Sequence, residues 1–335
     1  MNQSILKVGI IGLGVGERHI SGYLRDPRCK VISLCDFDNH KLLQVGARNP
    51  GISLFNNADD ILNDSSINVV SIATFDTYHY EQTISAINNG KHVFVEKPLC
   101  LFDHELAGIK DALNKNPHVR LSSNLILRST PRFLDLFHRI KNGDLGKIYC
   151  IEGDYDYGRI HKLTESWRGE IPFYSVVHGG AIHLIDLILW LTGEYPNKIF
   201  ALGNRISTEK SIFKQQDFVT AIMQFTSGLI AKVNANFGSV TPHGHKLCVY
   251  GTKGTFLHGH NGAFYYHSRD PKVLPEVIVD QYPGANKGDM IPSFVEYILD
   301  GKKPIVTEKD VLDAMEVSLG IERSLSQHQL IELNF

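Results

Sequence analysis

The first third of the chain alternates two hydrophobic periodicities, and this alternation limits the possible folds more than any other feature of the sequence. Short apolar, β-branched runs occupy residues 8–11, 31–34, 69–72 and 92–95. Segments with helical spacing follow them, at residues 17–24, 39–47, 78–88 and 101–113. Near-continuous apolar strands joined by helices form a parallel sheet with both faces covered. We therefore predict a doubly wound α/β domain over residues 1–124.

The pattern changes after about residue 125, and the chain of 335 residues is longer than a single hydrophobic core usually serves. Longer alternating runs now occupy residues 148–157, 218–225, 229–237 and 246–250. Turn sequences at 226–228 and 251–254 predict hairpins, and therefore an antiparallel sheet. Helical segments are predicted at 131–140, 180–191, 292–299 and 309–324. The sequence thus predicts a second, α+β domain over residues 125–335.

Charge and cysteine content exclude several classes of protein. The formal net charge is −2 without a long run of one sign, whereas nucleic acids and anionic membranes require a basic face. The five cysteines are scattered and odd in number, which favours reduced thiols over a disulfide framework. No secretory signal is recognisable at the N-terminus, and no apolar stretch is long enough to span a bilayer. We predict a cytoplasmic protein with neither a nucleic acid nor a membrane as its partner.

A glycine-rich turn follows the first predicted strand. It reads Gly12-Leu13-Gly14-Val15-Gly16, one residue short of the dinucleotide fingerprint G-x-G-x-x-G. Glycines allow the backbone to turn sharply and approach a pyrophosphate, and the next helix presents free N–H groups to the anion. Taken alone, the pattern fits equally well a strand-to-helix turn that only needs small residues.

Asp36 ends the second predicted strand, near the spacing of roughly 20 residues expected for the acid that binds the adenosine ribose. A carboxylate there accepts hydrogen bonds from the ribose hydroxyls and repels a 2′-phosphate. The next residues, Phe37 and Asp38, supply no arginine for such a phosphate. The alternative is a surface acid at a strand end. We predict NAD rather than NADP as the cofactor.

The run Gly90-Lys91-His92-Val93-Phe94-Val95-Glu96-Lys97-Pro98-Leu99 resembles the signature of the Gfo/Idh/MocA oxidoreductases. The order of features agrees: the glycine turn, then the segment at 73–79, then Glu-Lys-Pro, then segments at 145–148 and 179–186. The resemblance covers essentially the whole chain. It implies an N-terminal Rossmann domain and a C-terminal domain with an open, mainly antiparallel sheet. That sheet often forms a subunit interface in the family, so the resemblance also implies a homo-oligomer, a dimer or tetramer.

The resemblance also implies which residues bind the cofactor and which perform the chemistry. Lys97 is placed beside the reacting carbon, where an ammonium can stabilise a developing alkoxide. Pro98 restrains Lys97 to an extended conformation, and an X-Pro bond here can be cis. Outside this block, a surface lysine would be the simpler interpretation. The implied cofactor-binding residues are Gly12, Gly14, Val15, Gly16, Asp36, Thr74, Phe75, His79, Glu96 and Lys97.

His183 and Asp186 are three residues apart and share a face of the predicted helix. The resemblance implies that His183 works with Lys97 as a general acid/base, a role that suits the pKa of histidine. A buried, hydrogen-bonded histidine on an apolar helix is the alternative. Asp186 either orients His183 or bonds the neighbouring backbone.

The chain departs from the family pattern at two places. Many relatives carry an aspartate four residues before the histidine, and this chain has Gly179 there, with His178 adjacent as a substitute. Phe75 and Asp76 stand where relatives commonly have proline and asparagine. Phe75 can still pack on the cofactor.

A polar, aromatic-rich segment at 154–174 is the predicted source of substrate contacts. Aromatic faces suit the C–H surfaces of sugars, and arginine forks suit hydroxyls or carboxylates. An irregular surface loop is an equally good interpretation of any single residue. The two arginines suggest an anionic sugar, such as a uronate or a nucleotide-linked sugar. The predicted substrate-binding residues are Tyr157, Arg159, Trp167, Arg168, His178 and Asp186.

Two histidine pairs, His243/His245 and His258/His260, have a spacing that places each pair on one face of a strand. No cysteine or acid accompanies them at a spacing suited to zinc. We predict surface histidines near strand ends and no metal.

Together these features predict an NAD-dependent dehydrogenase that transfers a hydride between the nicotinamide and a secondary alcohol carbon of a sugar, polyol or sugar derivative. Two alternatives stay open. One is a non-catalytic, NAD-sensing regulator on the same fold, because fold alone does not fix function. The other is an NAD-dependent glycosidase, which uses the same hydride step transiently.

Overall fold

The computed structural model describes residues 5–335, so residues 1–4, where a secretory signal would begin, lie outside the described residues. The chain divides into two compact units. The first unit contains the residues up to Ser129 together with Ala285–Met315, and the second contains Thr130–Gly284 together with Glu316–Phe335.

The first unit is built on a six-stranded parallel sheet with the order β3-β2-β1-β4-β5-β6. Its strands are apolar on both faces, because helices cover both sides. The predicted doubly wound α/β fold is confirmed. The strands are β1 (Leu6–Ile11), β2 (Cys29–Cys35), β3 (Ser53–Phe55), β4 (Val69–Ile72), β5 (His92–Val95) and β6 (Leu121–Ser123).

The helices between these strands occupy the segments where helical spacing was predicted, with one addition, the short α3. Asp38 caps α2 by accepting hydrogen bonds from the backbone N–H groups of His40 and Lys41. The helices are α1 (Glu17–Tyr23), α2 (Asn39–Arg48), α3 (Asp59–Leu62), α4 (His79–Asn88) and α5 (Asp103–Lys115).

The second unit contains a nine-stranded sheet with the order β14-β13-β12-β11-β7-β10-β9-β8-β15. All neighbours run antiparallel except β7 and β10, which are parallel. Both predicted hairpin turns are present, and Gly228 in the first has a φ of 90°. The strands are β7 (Ile148–Asp156), β8 (Pro196–Asn204), β9 (Phe218–Phe225), β10 (Ile230–Asn236), β11 (Gly244–Gly251), β12 (Thr255–Gly259), β13 (Gly262–Tyr266), β14 (Glu276–Val277) and β15 (Ile331–Glu332).

Two helices of the second unit pack on this sheet: Phe133 at the start of one contacts His258 of β12, and Leu184 at the start of the other lies against Gly153 of β7. The most buried of them is α9, in which nine of the eleven residues are buried. The helices are α6 (Pro131–Lys141), α7 (His161–Thr164), α8 (Trp167–Glu170) and α9 (Ile182–Thr192).

The chain returns to the first unit through α10 (Ile291–Asp300) and the start of α11 (Glu308–Gln327). The ring of Phe294 packs on that of Phe94 in β5, with centroids 5.7 Å apart. Ser122 donates a hydrogen bond to the carbonyl of Val306 at 3.0 Å. The first domain predicted from the sequence, residues 1–124, does not contain this later segment of the first unit. Within the described range, no helix has the length and apolar character needed to cross a membrane.

Candidate active site

The glycine turn connects β1 to α1 in a conformation that requires glycine. Gly12 has a φ of 85°, and a Cβ there would overlap the carbonyl oxygen of Ala73. A Cβ on Gly16 would overlap the carbonyl oxygen of Gly12. Gly14 faces open space, so the backbone can be approached closely at this residue. Val15 is half-buried, and its carbonyl accepts a hydrogen bond from the N–H of Arg18 at 2.9 Å.

Asp36 is held at the end of β2 by the glycine turn itself. Its carboxylate accepts hydrogen bonds from the backbone N–H groups of Leu13 at 2.7 Å and Asp38 at 2.9 Å. The side chain is buried and forms part of the wall of a cavity of about 480 Å³. Five of the predicted cofactor-binding residues line this cavity. Its wall includes Gly12, Gly14, Asp36, Thr74 and Phe75, with Phe37, Lys41, Tyr78 and Gln82 around them.

His79 lies at the start of α4 and binds two backbone segments of the site. Its Nδ1 is 2.6 Å from the carbonyl oxygen of Pro98, and its Nε2 is 3.2 Å from that of Thr74. A carbonyl oxygen only accepts, so Nδ1, which makes the shorter contact, carries the proton. The buried ring therefore connects the segment after β4 to the segment after β5.

Glu96 is a buried anion directly before Lys97. Its carboxylate accepts from the side-chain amide of Asn124 at 2.7 Å and lies 3.2 Å from Nε2 of His19. Burial raises the pKa of Glu96, but the Lys287 ammonium and the hydrogen bonds from His19 and Asn124 outweigh it and hold this pKa well below its usual range. The carboxylate is thus engaged by protein groups of the first unit.

Lys97 is half-buried, and the Lys97–Pro98 peptide bond is cis. It follows β5, as Gly12 follows β1, Asp36 follows β2 and Thr74 follows β4. The carboxyl ends of parallel strands share one edge of a sheet, and ligands of doubly wound folds bind at that edge. The predicted cofactor residues and the predicted catalytic lysine therefore occupy the same edge.

In the second unit, His178 and His183 lie on a helix that begins earlier than predicted. Residues Val177–Ala181 form a π turn that continues into α9. The hydroxyl of Ser175 accepts hydrogen bonds from the N–H groups of Val177 at 3.1 Å and His178 at 3.0 Å, which caps the start of the turn.

The structure explains the glycine where relatives have an aspartate. A Cβ on Gly179 would overlap the hydroxyl of Tyr174, and a Cβ on Gly180 would lie within 2.5 Å of the ring of Tyr155. Aromatic side chains thus fill the space into which larger residues would project. No side chain can be added at either position unless Tyr174 or Tyr155 moves.

His183 and Asp186 are both buried on α9, and His178 is buried on the π turn. The imidazole of His183 lies next to two rings from the sheet. Its centroid is 6.4 Å from that of Tyr155 and 5.8 Å from that of His245.

The predicted aromatic segment is joined to His183 through Tyr155. Tyr157 stacks on Phe237 with centroids 4.1 Å apart and lies 6.2 Å from Tyr155. The guanidinium of Arg159 lies 4.6 Å from the centroid of Tyr157. Further along, Trp167 and Arg168 pack on each other at 4.4 Å.

His245 and His258 are buried, so their prediction as surface histidines is wrong, whereas His243 and His260 are exposed. On β11, His245 is in phase with the buried residues Leu247 and Val249. This alternation was the signal that could have identified it.

His245 is fixed by Tyr282. The Tyr282 hydroxyl accepts the backbone N–H of His245 at 3.0 Å and lies 2.7 Å from its Nδ1. Burial and the nearby Arg132 lower the pKa of His258 to about 4. These residues line a second cavity of about 310 Å³.

No cluster of three or more histidine, cysteine, aspartate or glutamate side chains among residues 5–335 is arranged to hold a metal ion.

Two family models match the chain. Residues 6–124 match the model described as oxidoreductase family, NAD-binding Rossmann fold. Residues 133–257 match the model described as the GFO/IDH/MocA C-terminal domain. The chain belongs to the Gfo/Idh/MocA oxidoreductases. The first unit of this family member is accordingly an NAD-binding Rossmann unit, as the sequence predicted.

Among the members of this family that the chain resembles are two curated dehydrogenases. The scyllo-inositol 2-dehydrogenase (NAD(+)) of Bacillus subtilis (strain 168) is 26% identical, with 98% of this chain and 96% of that protein covered. The levoglucosan dehydrogenase of Pseudarthrobacter phenanthrenivorans is 28% identical, with coverages of 79% and 75%.

A solved member of the family shares the fold. The scyllo-inositol dehydrogenase from Lactobacillus casei, with bound NAD(H) and scyllo-inositol, superposes with a TM-score of 0.78. It is 20% identical and covers 98% of this chain and 99% of its own.

Proposed function

We propose that this protein transfers a hydride between NAD and a secondary alcohol carbon of a sugar, polyol or sugar derivative. The observation that carries the proposal is the shared edge of the parallel sheet, where the cavity-lining cofactor residues and Lys97 all follow strand ends. The relatives reported above carry dehydrogenase names, which favours this function over an NAD-sensing regulator or a glycosidase.

The residues of the first unit fit NAD. Gly14 leaves the backbone open to a pyrophosphate, and the fixed carboxylate of Asp36 can accept from ribose hydroxyls. Phe37 and Phe75, with ring centroids 5.5 Å apart, offer apolar surface in the cavity that Asp36 also lines. When bound, NAD supplies the hydride acceptor or donor.

Lys97 and His183 are proposed to handle the hydroxyl of the substrate. The Lys97 ammonium donates a hydrogen bond to the reacting oxygen and stabilises negative charge that develops there. His183 exchanges the hydroxyl proton, a role that needs a group able to titrate near neutral pH. Tyr155 and His245 pack against the imidazole and limit its orientations. We propose that Asp186 and His178 support the same site.

The experiment that tests the proposal is replacement of Lys97 by alanine. Reduction of NAD is followed with a panel of inositols, sugars, uronates and anhydrosugars. The Lys97→Ala variant is expected to lose activity by about 100-fold or more, by analogy with the removal of other charge-stabilising donors. The rise in Tm caused by NAD should persist, because the glycine turn and Asp36 are unchanged.

Lys30→Ala, at an exposed lysine on β2, is the matched control and should retain full activity. Undiminished turnover by the Lys97→Ala variant would contradict the proposed role. Release of a free aglycone without net formation of NADH would instead favour the glycosidase.

We further propose that the protein works in the cytoplasm as a homo-oligomer, a dimer or tetramer. None of the five cysteines, all of which lie in the described part of the chain, forms a disulfide, which suits a reducing compartment. One face of the nine-stranded sheet exposes Phe200, Leu202, Ile222 and Ile230, which suits a subunit interface. Light scattering after gel filtration tests the assembly, and a monomer would contradict it.

A further inference from the structure

Three basic residues, Arg159, Lys162 and Arg168, lie near the aromatic rings that connect Tyr157 through Tyr155 to His183. Arg159 stacks on Tyr157 at 4.6 Å, and Lys162 lies three residues further along, in α7. Arg168 stacks on Trp167 at 4.4 Å, and its Nε donates to the hydroxyl of Tyr174 at 3.3 Å. All belong to the segment between β7 and the π turn, which also contains Glu165 and Glu170.

These cations act on one another and on the ring beside His183. Burial lowers the pKa of the Lys162 ammonium, and the positive charges of Arg159 and Arg168 lower it further. Burial raises the pKa of Tyr155, and the same two arginines oppose that increase. Tyr155 is the residue whose ring lies 6.4 Å from that of His183. The positive cluster is therefore adjacent to the proposed catalytic histidine.

The cluster lacks a local counter-charge at two of its members. Across residues 5–335, neither Arg159 nor Lys162 forms an ion pair with a carboxylate. The buried Nε of Arg159 also has no hydrogen-bond partner in that range. Uncompensated like charges raise the free energy of the folded protein, and an anionic ligand removes that penalty.

The surrounding side chains are suited to a sugar ring that carries an anion. Trp167 is half-buried and can offer aromatic surface to the C–H face of a pyranose, with the buried rings of Tyr157 and Tyr174 packed behind the arginines. Stacking uses the face of the Arg159 guanidinium, and its Nε–H, which has no partner among residues 5–335, is left for an acceptor on the ligand. Carboxylate and phosphate both match that geometry.

We infer that the substrate is an anionic sugar derivative, whose carboxylate or phosphate group is bound by Arg159, Lys162 and Arg168. The inference rests on the proposed dehydrogenase function, because it treats the cluster as part of the substrate site around His183. It narrows the substrate from any polyol to a uronate or a sugar phosphate.

The test compares probes that share one ring and differ at carbon 6: glucose, glucuronate and glucose 6-phosphate. KM is measured for each with NAD, using the wild type, Arg159→Gln and Lys162→Gln. KM for an anionic probe is expected to rise at least tenfold in each variant, which corresponds to about 1.4 kcal/mol, and KM for glucose, which carries no charge, is expected to rise much less. Arg269→Gln and Lys272→Gln change exposed residues in the loop between β13 and β14. They are the matched controls and should leave every KM unchanged.

A binding measurement keeps the inference testable if none of these probes is oxidised. With NADH present, glucuronate or glucose 6-phosphate should raise the Tm of the wild type and of Arg159→Lys but not of Arg159→Gln, and glucose should have no such charge dependence. Salt at about 500 mM should weaken the effect of the anionic probes. The probe that gives the larger shift identifies the carboxylate or the phosphate as the preferred group.

The outcomes separate this inference from the proposed function. A KM for glucuronate and glucose 6-phosphate that is the same in the wild type and in both variants, with neutral sugars oxidised as well, would overturn the anionic substrate and leave the dehydrogenase intact. Loss of NAD binding in Arg159→Gln would also overturn it, because the cluster would then serve the cofactor. Charge-dependent binding of a probe, without oxidation of any sugar in the panel, would support the anion site and contradict the proposed reaction.

Discussion

The carboxylate of Asp36 binds the glycine turn and also places a negative charge in the wall of the cavity. Its oxygens accept N–H groups from Leu13 and Asp38, so the charge is fixed at a defined point of the cavity wall. The nearest cation in that wall, Lys41, is bound by Glu17 at 2.8 Å, and Glu17 also binds Arg48 at 2.8 Å. A 2′-phosphate would therefore meet a fixed anion and a cation that is already paired.

We predict that Asp36→Asn narrows the preference for NAD over NADP by about tenfold, because the repulsive charge is removed. Adding Glu17→Gln should strengthen NADP binding further, since Lys41 is then released. The ratio of dissociation constants for the two cofactors, obtained from Tm shifts, measures both effects. An unchanged ratio in the double variant would mean that neither carboxylate selects the cofactor.

The residues that the sequence predicted best are those with a local physical requirement. Gly12 and Gly16 are needed for a turn, and Asp36 follows a strand at a known spacing. The Gly179 departure and the burial of His245 depend instead on Tyr174 and on the phase of β11, which only the folded sheet defines. The alternation along β11 indicates which residues share a face with His245, but the contact that requires Gly179 brings together residues whose packing local periodicity does not specify.

The π turn before α9 is the element that gives the second unit its geometry near His183. A π turn has an i to i+5 hydrogen-bond pattern, so it shifts the face on which later residues emerge, and such turns are frequent at functional sites. Predicting the helix from residue 180 missed it, because two adjacent glycines give no helical signal. Ser175 caps the turn and donates its own proton to Glu322 of α11 at 2.5 Å.

Glu322 should make the stability of the protein depend on pH. Burial raises the pKa of its carboxyl to about 7, from an ordinary value of 4.5, although the bond from Ser175 opposes the increase. The folded state therefore holds a proton that the unfolded state releases, so the contribution of Glu322 to stability is fully present below pH 4.5 and is lost as the pH rises through about 7.

We predict that Glu322→Gln, which cannot ionise, stabilises the protein by about 2 kcal/mol above pH 7 and by much less at pH 5. Urea unfolding at several pH values measures the difference. Glu209→Gln, at an exposed glutamate, is the control. A difference that is the same at every pH would show that the carboxyl does not titrate in this range.

At the scale of the whole molecule, the first unit is discontinuous in sequence. Residues 285–315 complete it: Phe294 is fully buried against Phe94, Asn124 binds the carbonyl of Lys287 at 3.0 Å, and Arg128 pairs with Asp310 at 3.1 Å. The sequence predicted α10 and α11 as helices. It placed both in the second predicted domain, residues 125–335, because an apolar helix face does not specify the sheet that it covers.

We predict that Phe294→Ala destabilises the protein by about 3–5 kcal/mol, as expected for a large ring removed from a core, and reduces the Tm shift produced by NAD. Phe102→Ala, at a partly exposed ring in the same unit, should have a small effect. Destabilisation without any change in NAD binding would mean that this contact does not support the cofactor cavity.

The return of residues 285–315 also affects how the protein is made. A ribosome releases β1 to β6 early, but the segment that covers Phe94 is translated only after Thr130–Gly284 of the second unit. During this interval the apolar surface around Phe94 of the nascent Rossmann sheet is uncovered, and this is when we expect chaperones to bind the chain.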